Sequence, residues 1–434
     1  LPKNLNIQRK LIQKTSHYII LYKKYLDKKK MLFIIDMFNV FNHIPRTMSK
    51  LHKNIMPVSA NGSWLYTQDE KKYLDFTSGI GALSTGHSHP YIIDKVKQQL
   101  PKLVHIQQQI FGSHPPQIEL TQKLLKIMPH KGLNNFFYVN SGSEATDNAI
   151  KIARKYTGRQ NILALNKGFH GRSLAALSVT SSNVTSRLNG LSLSPGVFFF
   201  NDKTDLDRIL EFQSSPLDVC AIIVEPVQGE GGVNSIPKHL LQHIQQICRD
   251  NGILLIADEV QCGSGRTGTW WNVEQKNINP DIMTFGKGIA SGYPFAGLVS
   301  SGEIMNSIGE SYLGGTYGGN AICSVAASAT IDVFNNENLL SNAEEMGLYI
   351  KNNIETIHTI KQVRQYGLMI AIEFSFSNES EKVMKIVDLL RDEGILVLLC
   401  GHKSQYIRIL PPLNVSLKDV DIFLTKFHKI VGNI

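Results

Sequence analysis

Lys287 stands between two glycines in "FGKGIASGYPFAG", residues 285–297, directly after the apolar run "DIMTF". A lysine at a strand end with no side chain on either neighbour can reach into an adjoining site. Partly desolvated, it gives up its proton and becomes a nucleophilic amine. A solvated loop lysine has the same spelling. A second apolar run, "ILLIAD", ends in the acidic pair Asp258-Glu259. The ends of strands are where open α/β sheets keep their chemistry.

Five further segments carry chemical side chains. In "VNSGSEATDNAIKIAR", residues 139–154, a strand ends, Ser141-Gly142-Ser143 turns, and a helix opens at Glu144. Small residues let the backbone N–H groups of a helix start approach an anion such as phosphate; simple capping by Ser141 or Ser143 is the plainer reading. "NKGFHGRSL" sets Phe169, His170 and Arg172 among small residues. Phe169 could stack on a planar group and Arg172 could hold a carboxylate, or they are a core ring and a surface cation. "IIVEPVQGEGGV" places Glu225, Gln228 and Glu230 after a buried strand; "GGTYGGN" holds Thr316 in a glycine-rich turn; "YIRILPPL" fixes Arg408 ahead of two prolines, well placed for a bidentate carboxylate contact.

One motif misleads. Gly263, Gly265 and Gly268 in "IADEVQCGSGRTG" spell G-x-G-x-x-G after a strand. A dinucleotide loop must open a helix and be followed by an acid about twenty residues on. Here the glycines lead into "TWWNVEQKNINP", a poor helix, and residues 282–302 contain no Asp or Glu. We reject dinucleotide binding.

The elements that position these residues alternate. "NNFFYV", "ILAL", "VFFF", "DVCAIIVEP", "ILLIAD", "DIMTFG" and "FAGLVSS" read as strands, with helical runs such as "SEATDNAIKIARKYTG" and "PKHLLQHIQQICRDNG" between them. The strands are continuously apolar, which predicts a mostly parallel sheet covered on both faces. From about residue 320 long helical runs lead into a smaller α+β region. The expected division is a basic extension over 1–53, a segment 54–105 contributing to the small domain, a large domain over 106–331, and a small C-terminal domain over 332–434.

The chain has 434 residues, 42% apolar and 19% charged, ordinary for a globular enzyme. Five scattered cysteines form no C-x-x-C and read as reduced thiols. No metal-ligand spacing such as H-E-x-x-H occurs. The net charge of +9 is not spread evenly. Residues 1–53 hold twelve of the 45 Lys/Arg and two of the 36 acids, leaving 33 bases against 34 acids elsewhere. A nucleic-acid surface on the body is therefore not expected. The basic, acid-poor leader reads as an organelle-targeting extension or as a plain tail. "MLFIIDMFNVF" is too short to span a membrane, and no membrane insertion is expected.

Together and in this order, the seven segments resemble the class III (ω-type) aminotransferases, over roughly residues 55–430. The resemblance implies the fold type I architecture of pyridoxal phosphate (PLP) enzymes: α/β, a large domain with a mostly parallel sheet flanked by helices, and a smaller α+β domain. It implies that Lys287 forms the Schiff-base link to PLP and then shuttles the substrate proton. Asp258 would pair with the pyridine nitrogen. Phe169 and Val260 would bracket the ring, and Gln261 would approach its hydroxyl. Ser141, Gly142 and Ser143 would hold the phosphate, together with Thr316 from across a homodimer interface. His170 and Glu225 are implied as neighbours of the cofactor.

For substrate, the resemblance implies that Arg408 holds the α-carboxylate of a 2-oxo acid and that Glu230 screens it when the donor lacks one. Arg172 would hold the distal carboxylate. Ile80, in "TSGIGALSTGHSHP", stands where 4-aminobutyrate enzymes tend to carry isoleucine and ornithine enzymes tyrosine. The expectation is transfer from 4-aminobutyrate to 2-oxoglutarate. The alternatives are an ornithine, acetylornithine or broad-specificity aminotransferase, or a racemase or aminomutase using the same proton shuttle. A non-catalytic protein on the same fold would not need Lys287 and Asp258. The basic leader makes the mitochondrial matrix or the cytoplasm the expected compartment.

Overall fold

A computed structural model describes residues 51–52, 55–182, 193–377 and 379–434. The segment read as a targeting extension lies, but for Leu51 and His52, outside the described residues. From residue 54 onward the chain clusters as one unit.

Strands β1 (Pro57–Asn61), β2 (Trp64–Thr67) and β3 (Lys72–Asp75) form an antiparallel meander. Helices α1 (Pro90–Gln99) and α2 (Pro115–Ile127) come next, each with proline in its first turn. That is where a missing N–H does no harm.

The central sheet takes β4 (Asn135–Val139), β5 (Asn161–Leu165), β6 (Val197–Phe200), β7 (Val219–Val224), β10 (Leu254–Asp258), β11 (Ile282–Phe285) and β12 (Ala296–Ser300) in the order β4-β12-β11-β10-β7-β5-β6. A two-residue pair, β8 (Val227–Gln228) with β9 (Asn234–Ser235), leaves the end of β7. Every residue of β7, β10, β11 and β12 is buried. Alternate side chains enter opposite cores: Ile222, Leu255, Met283 and Val299 on one face, Ile223, Ile256, Ile282 and Leu298 on the other. This double burial is why the strands read as unbroken apolar runs. It also hides strand direction, and β12 runs antiparallel to both its neighbours.

Helices α3 (Gly142–Thr157), α4 (Lys203–Phe212) and α5 (Lys238–Asn251) are the crossovers. In α5 the buried residues Leu240, Leu241, Ile244 and Cys248 form one stripe at helical spacing. Helices α6 (Ala321–Asn336) and α7 (Leu339–Ile354) lead to a second antiparallel sheet, ordered β13-β14-β17-β16. It contains β13 (Ile360–Tyr366), β14 (Met369–Phe374), β16 (Leu398–Cys400) and β17 (Tyr406–Ile409). Helix α8 (Glu379–Asp392) precedes β15 (Ile395–Leu396), which pairs in parallel with β3 and so ties the two ends of this unit together. Helix α9 (Leu417–Val431) closes the chain. Among the described residues no helix is long and apolar enough to cross a membrane.

Candidate active site

Asp258 ends β10, is 3% exposed, and is held from three sides. His170 Nδ1 lies 2.8 Å from its Oδ2. Thr284 Oγ1 and the Val260 N–H donate to Oδ1 at 3.0 and 3.1 Å. Thr284 stands directly opposite Asp258 in the β10–β11 register. A carboxylate offers about four acceptor positions; three are taken, leaving one for a protonated ring nitrogen. Burial pushes the His170 pKa down, but the hydrogen bond and charge of Asp258 outweigh it and raise it. The Asp258–His170 pair is thus a fixed, buried unit.

Glu259 points away from this site. Its Oε1 accepts from Val273 N at 2.8 Å and its Oε2 from Cys262 Sγ at 3.0 Å. Burial pushes its pKa from 4.5 to about 7. Between those values the folded protein keeps a proton that the unfolded chain releases. Stability present below pH 4.5 is therefore lost as pH rises toward 7, by ~3 kcal/mol. Glu259→Gln, neutral throughout, should lack this loss. In urea unfolding at pH 5 and pH 8, wild type should lose more stability than the variant; equal losses would refute the assignment.

Lys287 comes after β11 and Gly286, opening a short 3₁₀ turn, Lys287–Ala290, with φ +46°. A non-glycine residue in the left-handed region is strained and persists only where its surroundings hold it. Ser84 Oγ donates to Gly288 O at 2.5 Å, and Ser291 Oγ accepts from Thr85 N at 3.1 Å. Burial depresses the lysine pKa; the charges of Glu230, Asp258 and Glu225 oppose this without cancelling it. Lys287, Ile80, Phe169, Arg172 and Glu230 line one cavity of about 380 Å³.

Against Val260 lies the start of α3. Ser141 is its N-cap, its Oγ accepting from Glu144 N at 3.3 Å. The N–H groups of Gly142 and Ser143 head the helix and have no intrahelical acceptor. A Cβ on Gly142 would lie 2.7 Å from Val260 Cγ1, so only glycine lets the helix start come this close to Val260. Ser143 Oγ accepts from Arg172 N at 3.1 Å. Capping by Ser141 therefore leaves the Gly142 and Ser143 N–H groups free to meet an anion. The free acceptor position on Asp258, the glycine-dependent approach of the helix start to Val260, and the amine of Lys287 fit a planar, phosphorylated aldehyde.

Glu225 acts through the backbone, its Oε2 accepting from Phe169 N at 2.8 Å. Burial raises its pKa to about 7. Gln261 Oε1 accepts from Arg408 Nη1 at 2.9 Å. Arg408 is 2% exposed, and its Nη2 lies 2.8 Å from Glu230 Oε1. Burial alone would raise the Glu230 pKa, but the Arg408 charge and hydrogen bond hold it below the usual carboxylate value. Ile80 is 41% exposed at the cavity and sits in a left-handed run, Ser78–Gly81, with φ from +45° to +73°. Asp75 Oδ1 anchors that run through the N–H groups of Thr77 and Ser78.

Of the predicted residues, Ile80, Phe169, Arg172, Glu230 and Lys287 line the cavity itself; among the described residues Thr316 neither lines it nor bonds to a residue that does. It is exposed, beside Gly315, whose carbonyl accepts from Gln107 Nε2 at 3.3 Å. The glycines of the misleading motif lie away from the cavity too. Gly265 and Gly268, at φ +78° and +89°, face Phe334 and Glu344, and the helix after them, Asn272–Lys276, has only five residues. Sequence reasoning missed Thr284, whose only signal is strand register. It also missed Cys400, at the end of β16, and Gly401, His402 and Ser404 of the loop after it, which line the cavity with no motif to mark them.

A family model described as aminotransferase class-III matches residues 47–431. The chain is 37% identical over 394 residues to the 5-aminovalerate aminotransferase DavT of Pseudomonas aeruginosa, covering 86% of this chain and 92% of that one. It is 36% identical to the 4-aminobutyrate aminotransferase GabT of Escherichia coli over the same shares, and 34% identical to the acetylornithine aminotransferase of Archaeoglobus fulgidus, over 87% of this chain and 96% of that one. A solved transaminase from the marine bacterium Virgibacillus superposes with a TM-score of 0.85 at 27% identity, covering 91% of this chain and 97% of its own. With a family match over most of its length and a fold to suit, the chain belongs to the class III aminotransferases and is a pyridoxal 5′-phosphate-dependent enzyme of that family.

Proposed function

We propose that the enzyme moves the amino group of an ω-amino acid, 4-aminobutyrate first, to 2-oxoglutarate, giving succinate semialdehyde and glutamate. The observation that carries this reading is the Arg408–Glu230 pair, closed at 2.8 Å beside Lys287. A substrate with an α-carboxylate needs Arg408 and must displace Glu230. A donor whose reacting carbon bears no carboxylate leaves the pair closed and its charges balanced. One cavity can then take both substrates in turn. The exposed Arg172 at the same cavity suits the carboxylate at the far end of either. The donors named for the three relatives share an amine at a chain end, which supports the class.

When bound, pyridoxal phosphate supplies an aldehyde that exchanges amines and a ring that accepts electrons. Asp258 would keep a proton on the ring nitrogen. Lys287 Nζ, freed as an amine, takes the proton from the substrate carbon and returns it. Ser141, Gly142 and Ser143 would receive the phosphate; Phe169, backed by Glu225, and Val260 would bracket the ring. In a homodimer Thr316 would reach the phosphate held by a second copy. Its exposure supports this, as do the exposed Ile110 and Phe111, next to Gln109, which donates to Leu313 O at 2.6 Å.

Glu230→Gln tests the reading. It leaves Arg408 without a counter-charge only when the donor lacks an α-carboxylate. The half-reaction with 4-aminobutyrate should slow about tenfold, ~1.4 kcal/mol, and that with glutamate far less. Equal slowing of both, measured by rapid mixing, would sink it.

A further inference from the structure

Three consecutive hydroxyl residues, Thr180, Ser181 and Ser182, come after the Phe169–Arg172 turn. Two are occupied. Thr180 Oγ1 accepts from His170 N at 2.9 Å and donates to Ala176 O at 2.8 Å. Ser181 Oγ accepts from Lys167 N at 2.8 Å. Ser182 is 6% exposed, and its hydroxyl has no partner among the described residues. Its backbone is fixed, since the N–H groups of Ser181 and Ser182 both donate to Gly168 O, at 2.9 and 3.1 Å.

A buried hydroxyl without a partner is unfavourable, and native structures rarely keep one without reason. Ser182 lines the same cavity as Lys287 and Arg172. The two arginines of the site differ. Arg408 is committed to Glu230. Arg172 lines the cavity with no ion pair among the described residues, its guanidinium carbon 5.9 Å from the centre of the Phe169 ring. A guanidinium without a counter-charge and an unpartnered hydroxyl, on residues lining the same cavity, are the donors a carboxylate takes.

We infer that Ser182 donates a hydrogen bond to the distal carboxylate of the substrate, beside Arg172, and selects for substrates that carry one. The inference rests on the ω-amino acid and 2-oxoglutarate reading above. Removing the hydroxyl takes away no hydrogen bond to the described residues, so Ser182→Ala should fold as well as wild type.

The test compares 2-oxoglutarate with 2-oxopentanoate, which has the same chain length and no distal carboxylate, as acceptors for the holoenzyme. In Ser182→Ala the KM for 2-oxoglutarate should rise about tenfold with kcat within twofold. The KM for 2-oxopentanoate should not change, and the thermal midpoint should be equal or higher. An unchanged 2-oxoglutarate KM, or parallel changes for both acceptors, would overturn the role of Ser182. So would a lowered midpoint, the mark of a structural hydroxyl. A wild-type enzyme that does not prefer 2-oxoglutarate would overturn the underlying reading as well, and the wild-type data alone reveal that case.

Discussion

Replacing Lys287 with alanine is expected to lower the transamination kcat of the holoenzyme by at least about 10⁴-fold, the upper range for removing a positioned proton-transfer group. The reason is the geometry. Lys287 is the one lysine lining the cavity among the described residues, and burial already favours its neutral, nucleophilic form. The removed side chain makes no ion pair among the described residues, and the turn is held by Ser84 and Ser291 through their hydroxyls. The fold should therefore survive, with a thermal midpoint near that of wild type. A small added amine such as methylamine should restore part of the rate by filling the space left by the lysine amine. Steady-state glutamate formation measures both effects. Retention of more than about a tenth of wild-type activity would contradict the assignment.

Asp258→Asn is expected to have the next largest effect, a kcat loss of about 10²- to 10³-fold, with weaker cofactor retention. The amide keeps one oxygen for Thr284 and Val260. It turns an NH₂ toward His170 and has no charge to hold a proton on a ring nitrogen. His170 loses the partner that raises its pKa. A neutral His170 could accept from that NH₂ at Nδ1, but it would exchange a charge-assisted hydrogen bond for a neutral one, a loss of about 1 kcal/mol. The variant should thus unfold at lower urea and titrate His170 at lower pH, which its NMR resonance would report. Unchanged kcat with unchanged His170 titration would mean that Asp258 is only structural.

The two groups with the largest expected effects are the ones most legible in the sequence. Lys287 and Asp258 stand at the ends of apolar runs that can only be strands, and strand ends are short, definite places. Residues that matter through register were not legible. Thr284 meets Asp258 because β10 and β11 align as they do, and parallel register is set by crossovers, not by any local spelling. The antiparallel β12 was hidden because double burial removes the alternation that marks a strand's faces. The Arg408–Glu230 pair spans sheet and loop elements far apart in the chain, and only the family pattern suggested it. Ser182 is spelled no differently from its neighbours; only its missing partner distinguishes it. The glycines near residue 265 show the converse. Their spelling suggested a nucleotide loop, whereas Gly265 is glycine because a Cβ there would collide with Phe334.

The central claim is that this cavity transfers an ω-amino group. It is tested most directly by incubating the holoenzyme with ¹⁵N-labelled 4-aminobutyrate and unlabelled 2-oxoglutarate. The account predicts ¹⁵N-glutamate in equal amount to succinate semialdehyde. Unlabelled glutamate only, or no glutamate while ornithine or acetylornithine donates freely, would contradict it.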